Sequence, residues 1–158
     1  MQLLLLRHGI AADGMPDASR PLTPAGIERT SAVLQRLLAL DLRCDLLFSS
    51  PLLRARQTAE LAVAAGLAPA LQLTPALAPG GDAAPWLQQQ AAAAEAAATN
   101  RLALVGHEPD LSALAAGLIG APPGSLQLKK AGVIVLNWQP PAGAASLQWL
   151  ASPKLLLG

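Results

Sequence analysis

The sequence predicts an α/β domain: a three-layer α-β-α arrangement around a mostly parallel sheet, with an antiparallel strand at one edge. Three observations carry this. Four leucines, Leu3 to Leu6, run into Arg7, His8 and Gly9, the pattern of a short strand buried on both faces. Similar apolar runs then alternate with capped, helix-periodic segments, an order that places strand-to-helix turns on one sheet edge through right-handed crossovers. The last two apolar runs follow one another through a Pro/Gly turn and read as an antiparallel pair.

Each element has its own signal. Residues 11–21 form a polar loop containing Pro and Gly. Thr23-Pro24 supplies an N-cap and a first helical residue. Ile27, Thr30/Ser31, Leu34 and Leu37/Leu38 then keep the spacing of a helix lying on the sheet, with Gly26 weakening its first turn. Residues 45–49 read as the second strand, and Ser50-Pro51 repeats the cap-plus-proline start. The next helix carries Ala55, Ala59 and Ala62 on one face and stops at Gly66. Residues 71–74 are a third strand and 75–85 a loop; Asp82 caps a helix that runs through Ala98. Residues 101–105 form the fourth strand. Gly106-His107 follows at once, and Glu108-Pro109-Asp110 opens a helix that ends at Gly120 and Pro122-Pro123. Residues 131–138 and 147–150 are the closing strands. With no internal repeat and no long linker, 158 residues make a single domain over 1–158.

Composition excludes several classes of function. Apolar residues reach 53% but aromatics only 3%, so the core is built of Leu, Ala and Val. A net charge of +1 offers no basic stripe for nucleic acid. The basic residues are scattered except for Lys129-Lys130, which read as a solvated strand start or a face toward an acidic partner. One cysteine, Cys44, permits no intrachain disulfide and no cysteine metal cluster, and is read as structural. Two histidines do not make a His-rich zinc site. The leading leucine run lacks a basic leader and is interrupted by Arg7, and no later run has membrane-spanning length. The expectation is a soluble, cytoplasmic protein that meets neither membrane nor nucleic acid and needs no metal or other cofactor. Trp86, Trp138 and Trp149 are read as core or rim residues, Trp86 near enough to the middle loop to touch a substrate.

The basic side chains fall on the carboxyl edge of the sheet, where open α/β folds place ligands. Arg7 and His8 end the first strand, Arg54 lies in the first turn after the second, and His107 ends the fourth. Arginine forks match phosphate oxygens, and nearby helix N-termini add N–H donors. An unprotonated imidazole in such a nest can attack phosphorus, and neighbouring arginines disfavour its protonation.

The ordered set Leu-Arg7-His8-Gly9, Pro21-Leu-Thr-Pro-Ala-Gly26, Ser50-Pro-Leu-Leu-Arg54-Ala-Arg-Gln-Thr58 and Val105-Gly-His107-Glu-Pro109 resembles the histidine phosphatase superfamily, with its phosphoglycerate-mutase-like fold. The small size and the segment Leu-Ala-Pro-Gly-Gly-Asp82 look most like its SixA branch of phosphohistidine phosphatases. The resemblance spans nearly the whole chain. It implies that His8 is the nucleophile, that Arg7, Gly9, Arg54 and His107 bind the phosphoryl group, and that no metal is required.

Mutases and broad phosphatases of this superfamily use a carboxylic acid to protonate the leaving oxygen. The middle loop, where SixA-like chains often carry Glu, reads Pro75-Ala76-Leu77, and the often acidic position after Gly9 is Ile10. Asp13, Asp82 and Glu108 remain as candidate acids. An alcohol leaves poorly without a proton donor, whereas a histidine ring accepts its own proton. The expected substrate is therefore a phosphohistidine-bearing protein, such as a histidine-containing phosphotransfer domain in a signalling phosphorelay. The alternatives are a small-molecule phosphomonoesterase of the same fold and a catalytically silent phosphate-binding module; without an acid or a long substrate loop, a mutase is disfavoured.

Overall fold

Among the described residues the chain forms six strands and five helices, of which the last, Pro153–Leu157, is not expected from the sequence. A computed structural model of the chain describes residues 1–140 and 144–158, apart from the Glu95 side chain. The strands are β1 (Gln2–Arg7), β2 (Leu46–Ser49), β3 (Leu71–Leu73), β4 (Arg101–Gly106), β5 (Val133–Asn137) and β6 (Ser146–Ala151). The helices are α1 (Pro24–Ala39), α2 (Leu53–Ala65), α3 (Ala83–Ala96), α4 (Asp110–Ile119) and α5 (Pro153–Leu157). One sheet has the order β3-β2-β4-β1-β5-β6. β1, β2, β3 and β4 run parallel, β5 runs against β1, and β6 pairs antiparallel with β5 at the edge. The expected Pro/Gly turn between β5 and β6 lies partly in residues 141–143, outside the described residues.

Strand alternation divides the core in two, because successive side chains leave opposite faces of the sheet. Leu4 and Leu6 of β1 pack with Val33, Leu34 and Leu37 of α1 and with Ala55, Ala59 and Ala62 of α2. Leu3 and Leu5 face the other layer, with Leu87 and Ala91 of α3 and Leu111, Leu114 and Ala115 of α4. The leucine run is therefore a central strand covered on both sides, and the three layers are as expected. The small alanine face of α2 is fully buried against the sheet.

Four local expectations need correction. Ile27 lies off the buried stripe of α1 and is 41% exposed; Gly26, Thr30, Val33, Leu34 and Leu37 form that stripe instead. α2 begins at Leu53 rather than directly after Ser50-Pro51, and Leu52 at its N-cap makes no side-chain cap bond. The third strand stops at Leu73, where the Thr74 side chain caps a 3-10 turn over Pro75–Leu77. α3 ends at Ala96, and Ala98 takes a positive φ of 54°.

Gly26 has a packing reason to be there: a Cβ at this position would lie 2.1 Å from the Ile10 carbonyl oxygen. A Cβ on Gly9 would lie 2.3 Å from Thr30 Oγ1. Together the two glycines let the first turns of α1 close on the loop that leaves β1, which brings that loop's backbone over the sheet edge.

Candidate active site

β1 and β4 are parallel neighbours in a register that aligns Arg7 with Gly106. The residues that follow, His8 and His107, therefore leave the sheet side by side, and their rings lie 5.1 Å apart between centroids. α2 starts after neighbouring β2 and brings Arg54 to the same place: Arg54 Nε donates to His8 Nε2 at 3.3 Å. Arg7 donates from Nη1 to the Leu128 carbonyl at 2.8 Å, which ties the end of β1 to the loop before β5. The structure thus gathers His8, His107 and Arg54 at one point of the carboxyl edge, with Arg7 next to them and close enough for its charge to act on both imidazoles.

His8 Nδ1 lies 2.7 Å from the carbonyl oxygen of Gly9. A carbonyl only accepts, so Nδ1 carries the proton and Nε2 keeps its lone pair. The ring is 6% exposed, and burial pushes its pKa down to about 3, further lowered by His107, Arg54 and Arg7 and opposed by the Gly9 bond. His107, 3% exposed, is pushed down to about 4, first by burial and then by Arg54. Both imidazoles are neutral near pH 7, and burial outweighs the arginine charges expected to keep them so.

The motif Ser50 to Thr58 holds this geometry through Ser50, expected only as a helix cap, and through Gln57 and Thr58, which had no expected role. Ser50 Oγ lies 2.7 Å from His107 Nε2 and accepts from the Leu52 N–H at 3.3 Å. Thr58 Oγ1 accepts from the Gly9 N–H at 3.1 Å and donates to the Arg54 carbonyl at 2.8 Å. Gln57 Oε1 accepts from the Leu22 N–H at 2.8 Å, fixing the loop before α1. Arg54, Gln57 and Thr58 are spaced three and four apart, which puts them on one helix face; that spacing was the available signal.

Asp17 had no signal in the sequence at all. It sits in a short 3-10 turn, Asp17–Ser19. Its carbonyl accepts from Arg54 Nη1 at 2.9 Å and its carboxylate from Nη2 at 3.1 Å. Hydrogen bonds from Arg20 and then from Arg54 hold this carboxyl below the usual carboxylate range.

The three candidate acids are dispersed. Glu108 is a brace: its carboxylate accepts from the Ser112 N–H at 3.1 Å, the Ser112 hydroxyl at 2.7 Å and the Leu128 N–H at 3.2 Å. Asp13 is exposed in the loop after β1. Asp82 lines a separate cleft of about 470 Å³ with Pro75, Ala76, Pro85, Trp86 and Gln89. Trp86 also packs edge-on to Phe48, at 5.0 Å between centroids. Two buried polar atoms of the cluster, Arg7 Nε and His107 Nδ1, have no hydrogen-bond partner. Elsewhere, Cys44 is buried and its thiol is pushed up to about 12 by burial, which makes it unreactive. Trp138 is a core residue at 1% exposure. Among the described residues, no helix is long and apolar enough to cross a membrane.

Comparison with known proteins bears on the family and the fold. Residues 3–78 match the sequence model of the histidine phosphatase superfamily (branch 1). The chain is 44% identical to an uncharacterized protein of Picosynechococcus sp., over 99% of both chains. It is similar to a structure of the protein histidine phosphatase SixA complexed with tungstate, at 26% identity and a TM-score of 0.87, over 98% of both chains. It is also similar to a putative phosphohistidine phosphatase SixA from Nakamurella multipartitia, at 28% identity and a TM-score of 0.77, over 96% of this chain and 95% of that one. The chain belongs to the histidine phosphatase superfamily.

Proposed function

We propose that the protein is a phosphohistidine phosphatase that acts on a phosphoprotein through a phosphorylated His8. One observation carries the reading. The Nδ1–H of His8 donates to the Gly9 carbonyl, so Nε2 carries the ring's lone pair, which meets only a long 3.3 Å hydrogen bond from Arg54 Nε beside His107.

His8 Nε2 attacks phosphorus in line, forming a P–N bond as the bond to the leaving group breaks. Arg54, Arg7 and His107 stabilise charge on the equatorial oxygens. The orphaned Arg7 Nε–H is one donor that an oxyanion can satisfy, and His107 Nδ1 is a second in the tautomer whose Nε2 accepts from the Ser50 hydroxyl. Water then attacks the phosphorus of phospho-His8, releasing phosphate and restoring the neutral ring.

The choice of leaving group follows from the acids. Ile10 and Ala76 carry no carboxyl group, and Glu108 is spent on Ser112 and Leu128. A substrate imidazole can leave by taking a proton on its own ring; an alkoxide cannot. Asp82, in its cleft beside Trp86, is the observation that favours the other reading, a small-molecule phosphomonoesterase. Turnover of a phosphohistidine protein measured against sugar phosphates and phosphoserine, for wild type and His8→Ala, decides between them. Faster turnover of the protein, lost in His8→Ala, supports the proposal; faster turnover of the sugar phosphates overturns it.

A further inference from the structure

The carboxyl edge carries a second cleft, on the β5 side of His8, with a volume of about 520 Å³. Five of the chain's eleven lysines and arginines line it: Arg7, Arg29, Lys129, Lys130 and Lys154. No acidic residue is among its lining residues. Of these cations, none forms an ion pair among the described residues, whereas Arg20, Arg43, Arg54 and Arg56 all do. For a chain of net charge +1, this is a strongly uneven distribution. The cleft also adjoins the chemistry: Arg7 precedes His8, and Ile10, another of its walls, follows Gly9.

We propose that this cleft docks an acidic face of the protein that carries the phosphohistidine. The inference rests on the function proposed above. The type of cation decides the class of ligand. Arg29, Lys129, Lys130 and Lys154 are exposed and come from three separate parts of the chain, α1, the loop before β5 and α5. A small second anionic group is recognised by buried, preorganised forks and backbone N–H groups. Exposed lysines spread around an open cleft instead steer and orient a broad surface of opposite charge, an effect on association that salt screens. Carboxylates flanking a phosphohistidine, seated over these cations, would bring its ring to His8 from the Arg7 side.

The test compares two substrates with one leaving group: a phosphorylated, acidic histidine-containing phosphotransfer domain and free phosphohistidine. Arg29→Glu with Lys154→Glu reverses two charges away from the reacting groups; Lys129→Gln with Lys130→Gln is the milder second variant, and circular dichroism checks that both fold. The expected result is a loss of about tenfold or more in kcat/KM on the phosphoprotein at low salt, a weaker salt dependence than wild type, and free phosphohistidine turned over within about twofold of wild type. Equal losses on both substrates, or no loss on the phosphoprotein, overturn the docking surface. The wild-type rates judge the underlying function separately. If wild type does not hydrolyse the phosphoprotein, both readings fall; if it does and the variants match it, only the docking surface falls.

Discussion

Lowering the pH from 7 to 5 should destabilise the folded protein through two residues, His8 and His107. Their pKa values in the fold are pushed down to about 3 and about 4. In the unfolded chain both return to about 6.5. Below that value the unfolded chain binds protons that the folded site refuses. Their contribution is therefore complete above about pH 6.5 and is lost as pH falls, until the folded rings themselves protonate near 4 and 3. Each group costs about 1.36 kcal/mol per pH unit across that window. Between pH 7 and pH 5 the pair costs at most about 4 kcal/mol, with water at the mouth of the site lowering that ceiling. This is a large part of the roughly 5–15 kcal/mol that holds a typical domain folded. Urea unfolding at pH 7, 6 and 5 measures it, with the m-value checked for constancy. His8→Gln should remove about half of the drop, and His8→Gln with His107→Gln nearly all of it. If the double variant loses as much stability as wild type between pH 7 and 5, the two imidazoles are not buried neutral bases, and the reasoning fails.

Three further substitutions probe the supports of the site. Asp17→Asn removes the carboxylate that holds Arg54 Nη2; because Asp17 is half exposed and its charge is screened by solvent, stability should hardly change, while kcat/KM falls several-fold, as read by steady-state kinetics. Glu108→Gln breaks a brace that accepts three hydrogen bonds; thermal unfolding should show a loss of about 1–3 kcal/mol, with kcat on phosphohistidine protein within a few-fold of wild type, whereas a collapse of kcat at full stability would make Glu108 the acid. Gly9→Ala puts a methyl group 2.3 Å from Thr30 Oγ1; it should cost about 1–3 kcal/mol in denaturant unfolding and lower kcat by shifting His8, and Thr30→Gly in the same chain should recover part of both.

The sequence made legible what local pattern decides. Four consecutive leucines closed by a glycine read as a strand covered on both faces, and β1 is that strand. Its parallel pairing with β4 puts the residues after each strand next to each other, so two histidines at strand ends became neighbours. Interactions across long separations were not legible. The Ser50 hydroxyl reads as a helix cap, but besides the Leu52 N–H it meets the ring of His107, 57 residues away. Nothing local marks Asp17, because its partner Arg54 lies 37 residues on. Glu108 reads as a candidate proton donor until Leu128 arrives to be braced. Ile27 keeps helical spacing, but the close approach at Gly26 and buried Thr30 turn the helix so that Ile27 faces water. Arg29, the Lys129-Lys130 pair and Lys154 lie far apart in sequence, and only the fold collects them around one cleft.

The central claim is that His8 carries the phosphoryl group, and trapping the intermediate tests it most directly. Protein mixed briefly with phosphohistidine substrate, quenched in base and mapped by mass spectrometry should carry phosphate on the imidazole of His8, with none on His8→Ala. Phosphate on His107 instead, or undiminished turnover by His8→Ala, would contradict the account.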